Sequence, residues 1–157
     1  MRALLIILAA LCMGSLRAQP EPAPDFALKS VSGENLRLSE YRGQVVLVVF
    51  WASWCPECPQ LLDDLQDLYA ETGGKGLEIL AISVDYLDAR SARAAAGATI
   101  SYPILLDVKR DVVKSYQIEK MPGVVVVDRD GRITAKNLGP AALKADYRAV
   151  IAALLDR

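Results

Sequence analysis

The sequence predicts an α/β fold: a central mixed sheet flanked by helices, with parallel inner strands, an antiparallel edge and a small β-hairpin extension at the N-terminal side. Three observations predict it. Residues 45–51 and 77–84 are continuous apolar runs rich in β-branched residues, the pattern of strands covered on both faces. Between them, Leu61, Leu62, Leu65, Leu68 and Tyr69 recur at helical spacing, so a crossover helix joins two parallel strands. The last third holds two apolar runs around Asp128-Arg129-Asp130-Gly131, which reads as a closing hairpin before a final helix.

The elements follow in order. Phe26-Ala27-Leu28 and Leu36-Arg37-Leu38 flank the turn Ser32-Gly33-Glu34-Asn35, giving the small hairpin. After the Val45–Trp51 strand, apolar positions fall at helical spacing over 59–71, with Asp63, Asp64, Asp67 and Glu71 on the outer face of that helix. Early acids suit a helix N-terminus, and a solvated face explains this cluster better than a cation site. Gly73-Gly74 ends that helix, and residues 77–84 form the second strand. An Ala-rich helix follows over 86–97, then an extended segment over 102–106 and a short helix over 108–116. Val124–Val127 and Ile133–Leu138 make the closing hairpin. Gly139-Pro140 opens the last helix, with Leu143, Tyr147, Val150, Ile151 and Leu154 as its buried stripe.

The 157 residues fit one domain, and 53% apolar content excludes a disordered chain. The first residues read as an export signal: Met1-Arg2, an apolar run over 3–14, then Leu16-Arg17-Ala18 and the polar, Pro-rich stretch 19–25. The expected organisation is a signal peptide over 1–18, a Pro-rich linker over 19–25 and one domain over 26–157. The expected location is periplasmic or otherwise exported, with membrane attachment if the signal is retained. The apolar run is shorter than the roughly 20 residues that span a bilayer. Cleavage would remove Arg2 and Arg17 and move the net charge from −1 to about −3. No stripe of Lys or Arg is available to track phosphates, so nucleic acid is not an expected partner.

The chemistry concentrates in Phe50-Trp51-Ala52-Ser53-Trp54-Cys55-Pro56-Glu57-Cys58-Pro59. Loss of Cys12 with the signal leaves Cys55 and Cys58 as the only thiols, in a compartment where disulfides persist. Three readings compete. A closed zinc site needs about four ligands, yet the chain has no histidine and no further mature cysteine, so no metal or other cofactor is expected. A structural staple closing so short a loop would stabilise little. A redox couple fits best. With Cys55 at or just before the first helical turn and Cys58 three residues on, the sulfurs can close a disulfide, and the helix start stabilises a thiolate. Cys55 is then the nucleophile, and Cys58, further into the helix and nearer the core, the resolving thiol. Pro59 is expected at the fourth helical position, where its missing N–H would loosen the first turn.

The segment from Phe50 to Cys58 resembles the active-site segment of exported bacterial thioredoxin-like reductases of the TlpA/ResA type. Pro24–Leu28, Leu38–Gly43, Tyr102–Asp107 and Val127–Gly131 match that family's punctuation as well, so the resemblance covers nearly the whole mature chain. It implies a thioredoxin-like fold and a thiol-disulfide oxidoreductase acting on protein or small-molecule disulfides, with cytochrome c maturation as one setting and a membrane thiol as electron donor. It also implies a cis-proline at Met121-Pro122 facing the disulfide. Met121 and Pro122 would hold a substrate chain by backbone pairing and Trp54 would give an apolar contact, while Trp51 is read as core.

The departures are as informative. Thioredoxins carry an acid where this chain has Val49, and many ResA-type proteins carry one where it has Leu61. The obvious proton acceptors for Cys58 are thus missing, and slow resolution near neutral pH is expected. Pro56 and Glu57 fill the motif between the cysteines. The Glu57 carboxylate should oppose thiolate formation and favour a reductant, or else serve as a helix-start acid. Gly123 stands where Thr is common. The alternatives are a peroxiredoxin-like thiol peroxidase, which Pro24–Leu28 also resembles, and a non-catalytic thioredoxin-fold binding module. Against the peroxidase, neither cysteine has Thr or Ser three residues before it.

Overall fold

The computed structural model describes residues 20–72, 74–86, 88–136 and 146–156. The expected signal peptide over 1–18, Cys12, Gly73, the span Leu138 to Leu143 with Gly139 and Pro140, and the Tyr147 side chain lie outside them. The elements are β1 Ala27–Ser30, β2 Asn35–Arg37, β3 Val45–Trp51, α1 Cys58–Thr72, β4 Leu77–Ser83, α2 Ala89–Ala96, β5 Ile104–Leu106, α3 Asp111–Ser115, β6 Gly123–Val127, β7 Ile133–Ala135 and α4 Asp146–Leu155. Seven strands form one sheet in the order β2-β1-β5-β4-β3-β6-β7.

β3 lies between β4, parallel to it, and β6, antiparallel. All seven of its residues are buried, which is why its sequence is an unbroken apolar run. β5 continues the parallel set beside β4. The expected N-terminal hairpin forms with Leu28 opposite Leu36, and β1 also pairs antiparallel with β5. The hairpin therefore widens the main sheet, and both edges of the sheet are antiparallel.

Side-chain caps trim several elements below their expected lengths. The Asp88 carboxylate accepts the Ser91 N–H at 2.8 Å and starts α2, which closes at Gly97 with φ 104°, a conformation suited to glycine. Asp107, only 2% exposed, accepts the N–H groups of Val112 at 3.3 Å and Val113 at 2.8 Å, so α3 begins after residue 110. The strand expected to reach Leu38 stops at Arg37, because Asp25 accepts from the Ser39 backbone at 2.9 Å and bends the chain into a 3-10 turn over Leu38–Tyr41.

Residues 20–25 lie along the sheet. Ala23 donates to the Gly131 carbonyl at 3.0 Å, Ile133 donates to Glu21 at 2.8 Å, and the Tyr116 hydroxyl donates to the Pro24 carbonyl at 2.8 Å. Tyr116 is buried against the rings of Phe26 and Phe50. Tyr102 is buried edge-on to Tyr69, and its hydroxyl donates to the Leu62 carbonyl at 2.9 Å, fixing α1 to the chain ahead of β5. Burial pushes both the Tyr102 and Tyr116 phenols well above their ordinary range. On α1, Asp63, Asp67 and Glu71 are exposed, as a solvated face requires, and Glu71 pairs with Arg148 at 3.0 Å.

Glu78 is the exception on β4. It is half-buried, and burial raises its carboxyl despite acceptance of the Ile79 N–H and the Tyr69 hydroxyl. A carboxyl raised on folding contributes most stability below its unfolded range and loses it as pH rises through the folded value. Glu78→Gln is therefore expected to raise stability near pH 7, by roughly 0.5 kcal/mol once solvent screening is allowed for. The gain should vanish near pH 3; urea unfolding at the two pH values checks it.

Candidate active site

The strand directions bring four chain segments to one edge of the sheet. β3, β4 and β5 run parallel, so Trp51, Ser83 and Leu106 end side by side. β6 runs the other way and begins opposite Phe50 with Gly123, so the segment before it reaches the same edge. The loop 52–57, the loop after Ser83, Asp107 and Met121-Pro122 are thereby neighbours, in the crevice beyond the carboxyl ends of the strands where α/β proteins place ligands.

The 52–57 loop turns tightly. Cys55 donates to the Ala52 carbonyl at 3.2 Å and Cys58 donates to the Cys55 carbonyl at 3.3 Å. Cys55 and Cys58 form a disulfide with Cα atoms 5.4 Å apart. Both are buried, Cys55 at 2% and Cys58 at 0% exposure. Cys55 lies ahead of α1 and Cys58 is its first residue, which places the sulfurs at the positive end of the helix dipole.

Two expectations about this helix are corrected. Cys58 does not lie deeper in the helix but starts it, and Pro59 is its second residue, not its fourth. The reason is physical. The first turn of a helix has N–H groups without intrahelical partners, so proline costs little there, and the helix begins where Pro59 loses nothing. Cys58 supplies the bond to the Cys55 carbonyl that Pro59 cannot.

Of the other residues singled out, Trp54 is 63% exposed beside Cys55, and Pro56 and Glu57 are exposed in the turn. The Met121-Pro122 peptide is cis; Met121 is half-buried and Pro122 buried, one register step beyond the Phe50–Gly123 pair. Trp51 is core at 1% exposure, and its indole Nε1 has no acceptor among the described residues. Val49 and Leu61 are buried at 0% and 4%. Gly123 has a steric cause: a Cβ there would sit 2.5 Å from Ile118 Cγ2, so Ile118 fills the space that a threonine would need. No group of three or more His, Cys, Asp or Glu able to hold a metal occurs among the described residues.

Sequence reasoning missed Asp85. It is 7% exposed, two residues after the end of β4. Its carboxylate accepts the Ser53 N–H at 2.7 Å, the Ser53 hydroxyl at 3.2 Å and the Ser83 hydroxyl at 3.2 Å. Val84 donates to the Trp51 carbonyl at 3.0 Å. The loop carrying the disulfide is thus tied to the end of β4. The available signal was topological: parallel neighbours put the end of β4 beside the end of β3.

A thioredoxin-like sheet with a CxxC disulfide at the start of the helix after its central strand defines the class: a thioredoxin-fold dithiol protein. The AhpC/TSA family model matches residues 20–136, and the chain belongs to that family. It is 32% identical over 111 residues to the thiol-disulfide oxidoreductase ResA of Geobacillus kaustophilus, a stretch covering 71% of this chain and 64% of that relative's length. To ResA of Halalkalibacterium halodurans it is 29% identical over 125 residues, 80% of this chain and 71% of the relative. The thioredoxin domain of a thiol-disulfide oxidoreductase from Bacteroides vulgatus superposes with a TM-score of 0.73 at 28% identity, covering 86% of this chain and 96% of that one. A thiol-disulfide oxidoreductase from Bacteroides fragilis gives 0.70 at 28% identity, covering 83% and 99%.

Proposed function

We propose that this chain is an exported thiol-disulfide oxidoreductase that reduces disulfides of protein or small-molecule substrates through Cys55 and Cys58. The observation that carries the reading is the Cys55–Cys58 disulfide at the start of α1, on the sheet edge shared with cis-Pro122. The relatives named thiol-disulfide oxidoreductase support it.

In the reduced protein, the Cys55 thiolate attacks one sulfur of the substrate disulfide. A bond forms between Cys55 Sγ and that sulfur, and the second substrate sulfur leaves as a thiolate that takes up a proton. Cys58, deprotonated, then attacks Cys55 Sγ and expels the first substrate sulfur. Two electrons pass to the substrate, which gains two protons, and Cys55–Cys58 is left oxidised. A dithiol donor restores it by the same exchange in reverse, and the proposed donor is a membrane thiol protein. Cys55 is assigned the attack because it lies in the loop beside the exposed Trp54, while Cys58 begins the helix. Trp54 offers an apolar face to the substrate, and the Met121-Pro122 segment offers backbone for pairing.

The order of Met1-Arg2, the apolar run over 3–14 and Ala18-Gln19 supports export, with one domain following the leader. No described helix is long and apolar enough to cross a membrane. The AhpC/TSA match keeps peroxide reduction as a second reading. One assay separates them. With dithiothreitol as donor, the purified protein is expected to accelerate reduction of a protein disulfide and to consume hydrogen peroxide no faster than free thiol does. Rapid peroxide consumption without disulfide reduction would reverse the assignment.

A further inference from the structure

We infer that Asp85 is a positioning residue for the Cys55–Cys58 couple, holding the active-site loop and setting the acidity of Cys55 through its charge; this rests on the exchange reading above. The charge is poorly screened by water, since the side chain is 7% exposed. Its three donors are neutral: the Ser53 N–H, the Ser53 hydroxyl and the Ser83 hydroxyl. None of the salt bridges among the described residues involves it.

It is also close. Oδ2 lies 2.7 Å from the Ser53 nitrogen, and the turn closed by Cys55 N–H on the Ala52 carbonyl keeps Ser53 and Cys55 on one tight bend. Following the chain from the Ser53 nitrogen over two Cα steps, the carboxylate lies within about 14 Å of the Cys55 sulfur. Within that range, in the intermediate dielectric of a protein edge, a buried negative charge raises a thiol by about half a unit to one unit. The other charged groups on segments framing the disulfide are Glu57, Asp88, Glu119 and Lys120, all exposed and so screened more strongly, and Asp107, which is buried but whose carboxylate is taken up by the Val112 and Val113 N–H groups at the start of α3. Val49 on β3 and Leu61 on α1 are buried and carry no charge. Asp85 supplies a charge from the loop after the neighbouring strand, with its position fixed by hydrogen bonds.

Asp85→Asn separates charge from anchoring, because the amide oxygen still accepts the Ser53 N–H. The pH dependence of Cys55 alkylation by iodoacetamide in the reduced protein is the readout. The midpoint is expected to fall by about half a unit to one unit in Asp85→Asn. At a pH above both midpoints, the dithiol state should gain about threefold to tenfold against glutathione. Ser53→Ala keeps the carboxylate and its backbone bond, and its midpoint should stay within about 0.3 units of the parent. An unchanged midpoint in Asp85→Asn, or an equal fall in Ser53→Ala, would overturn the inference.

Where Asp85→Asn does not fold, the parent protein carries the test. Charge coupling is reciprocal, so the Asp85 carboxyl carbon should show a step coincident with Cys55 ionisation in the dithiol form and none in the disulfide form. Absence of that step would equally overturn it. Neither readout needs a substrate, so a coupled titration in a protein that exchanges no disulfide would remove the functional reading alone.

Discussion

Cys58→Ser is expected to stall the protein on its substrate, with Cys55 held in a mixed disulfide and turnover lowered by at least about a thousandfold. Resolution by Cys58 is intramolecular, and an oriented neighbour is worth effective concentrations far above any external thiol. The two cysteines are joined in the structure with Cα atoms 5.4 Å apart, so the resolving sulfur is already within bonding reach. Cys55→Ser should abolish turnover without accumulating any adduct, because Cys58 begins the helix while the loop position beside the exposed Trp54 belongs to Cys55. Intact-mass spectrometry under non-reducing conditions checks both. An adduct on Cys58 in the Cys55→Ser protein would exchange the two roles.

The largest stability effect is expected from Val49→Asp, which installs an acid at the place thioredoxins use. Val49 is at 0% exposure on β3, opposite Ala81 on one side and Val124 on the other. An unpaired carboxyl there finds no side-chain donor in its register, and the cost should be about 3 kcal/mol or more at pH 7. Burial raises such a carboxyl, so the sign follows. The penalty is largest where the folded protein must hold the charge, and shrinks as pH falls through the raised folded value. Urea unfolding at pH 7 and pH 5 measures it. A penalty below about 1 kcal/mol would mean that water already reaches the sheet behind the disulfide.

What was legible in the sequence was what burial writes directly into residue type. Val45–Trp51 is covered on both faces and reads as an unbroken apolar run; α1 is covered on one face and reads at period 3.6. The cysteine pair was legible because so little else in the chain could compete for its chemistry. Long-range placement was not legible. The N-terminal hairpin pairs with β5 across more than seventy residues, and nothing local in Ala27–Ser30 announces it. The helix start was misjudged because spacing treats every residue as a donor, whereas Pro59 moves the start to where its missing N–H is harmless. Asp85 looked like an ordinary turn residue after a strand. Its role depends on Ser53, 32 positions earlier, which only the parallel pairing of β3 and β4 brings within 2.7 Å.

The central claim is that Cys55 and Cys58 are a reversible two-electron couple used for disulfide exchange. Equilibration of the purified protein with graded ratios of reduced and oxidised glutathione, read by alkylation and mass spectrometry, tests it most directly. The account predicts a single transition in which both thiols appear together, fitted by two electrons and reversible from either side. A disulfide that stays closed across the accessible range, or that opens only when the protein unfolds, would make the pair a staple and contradict the account.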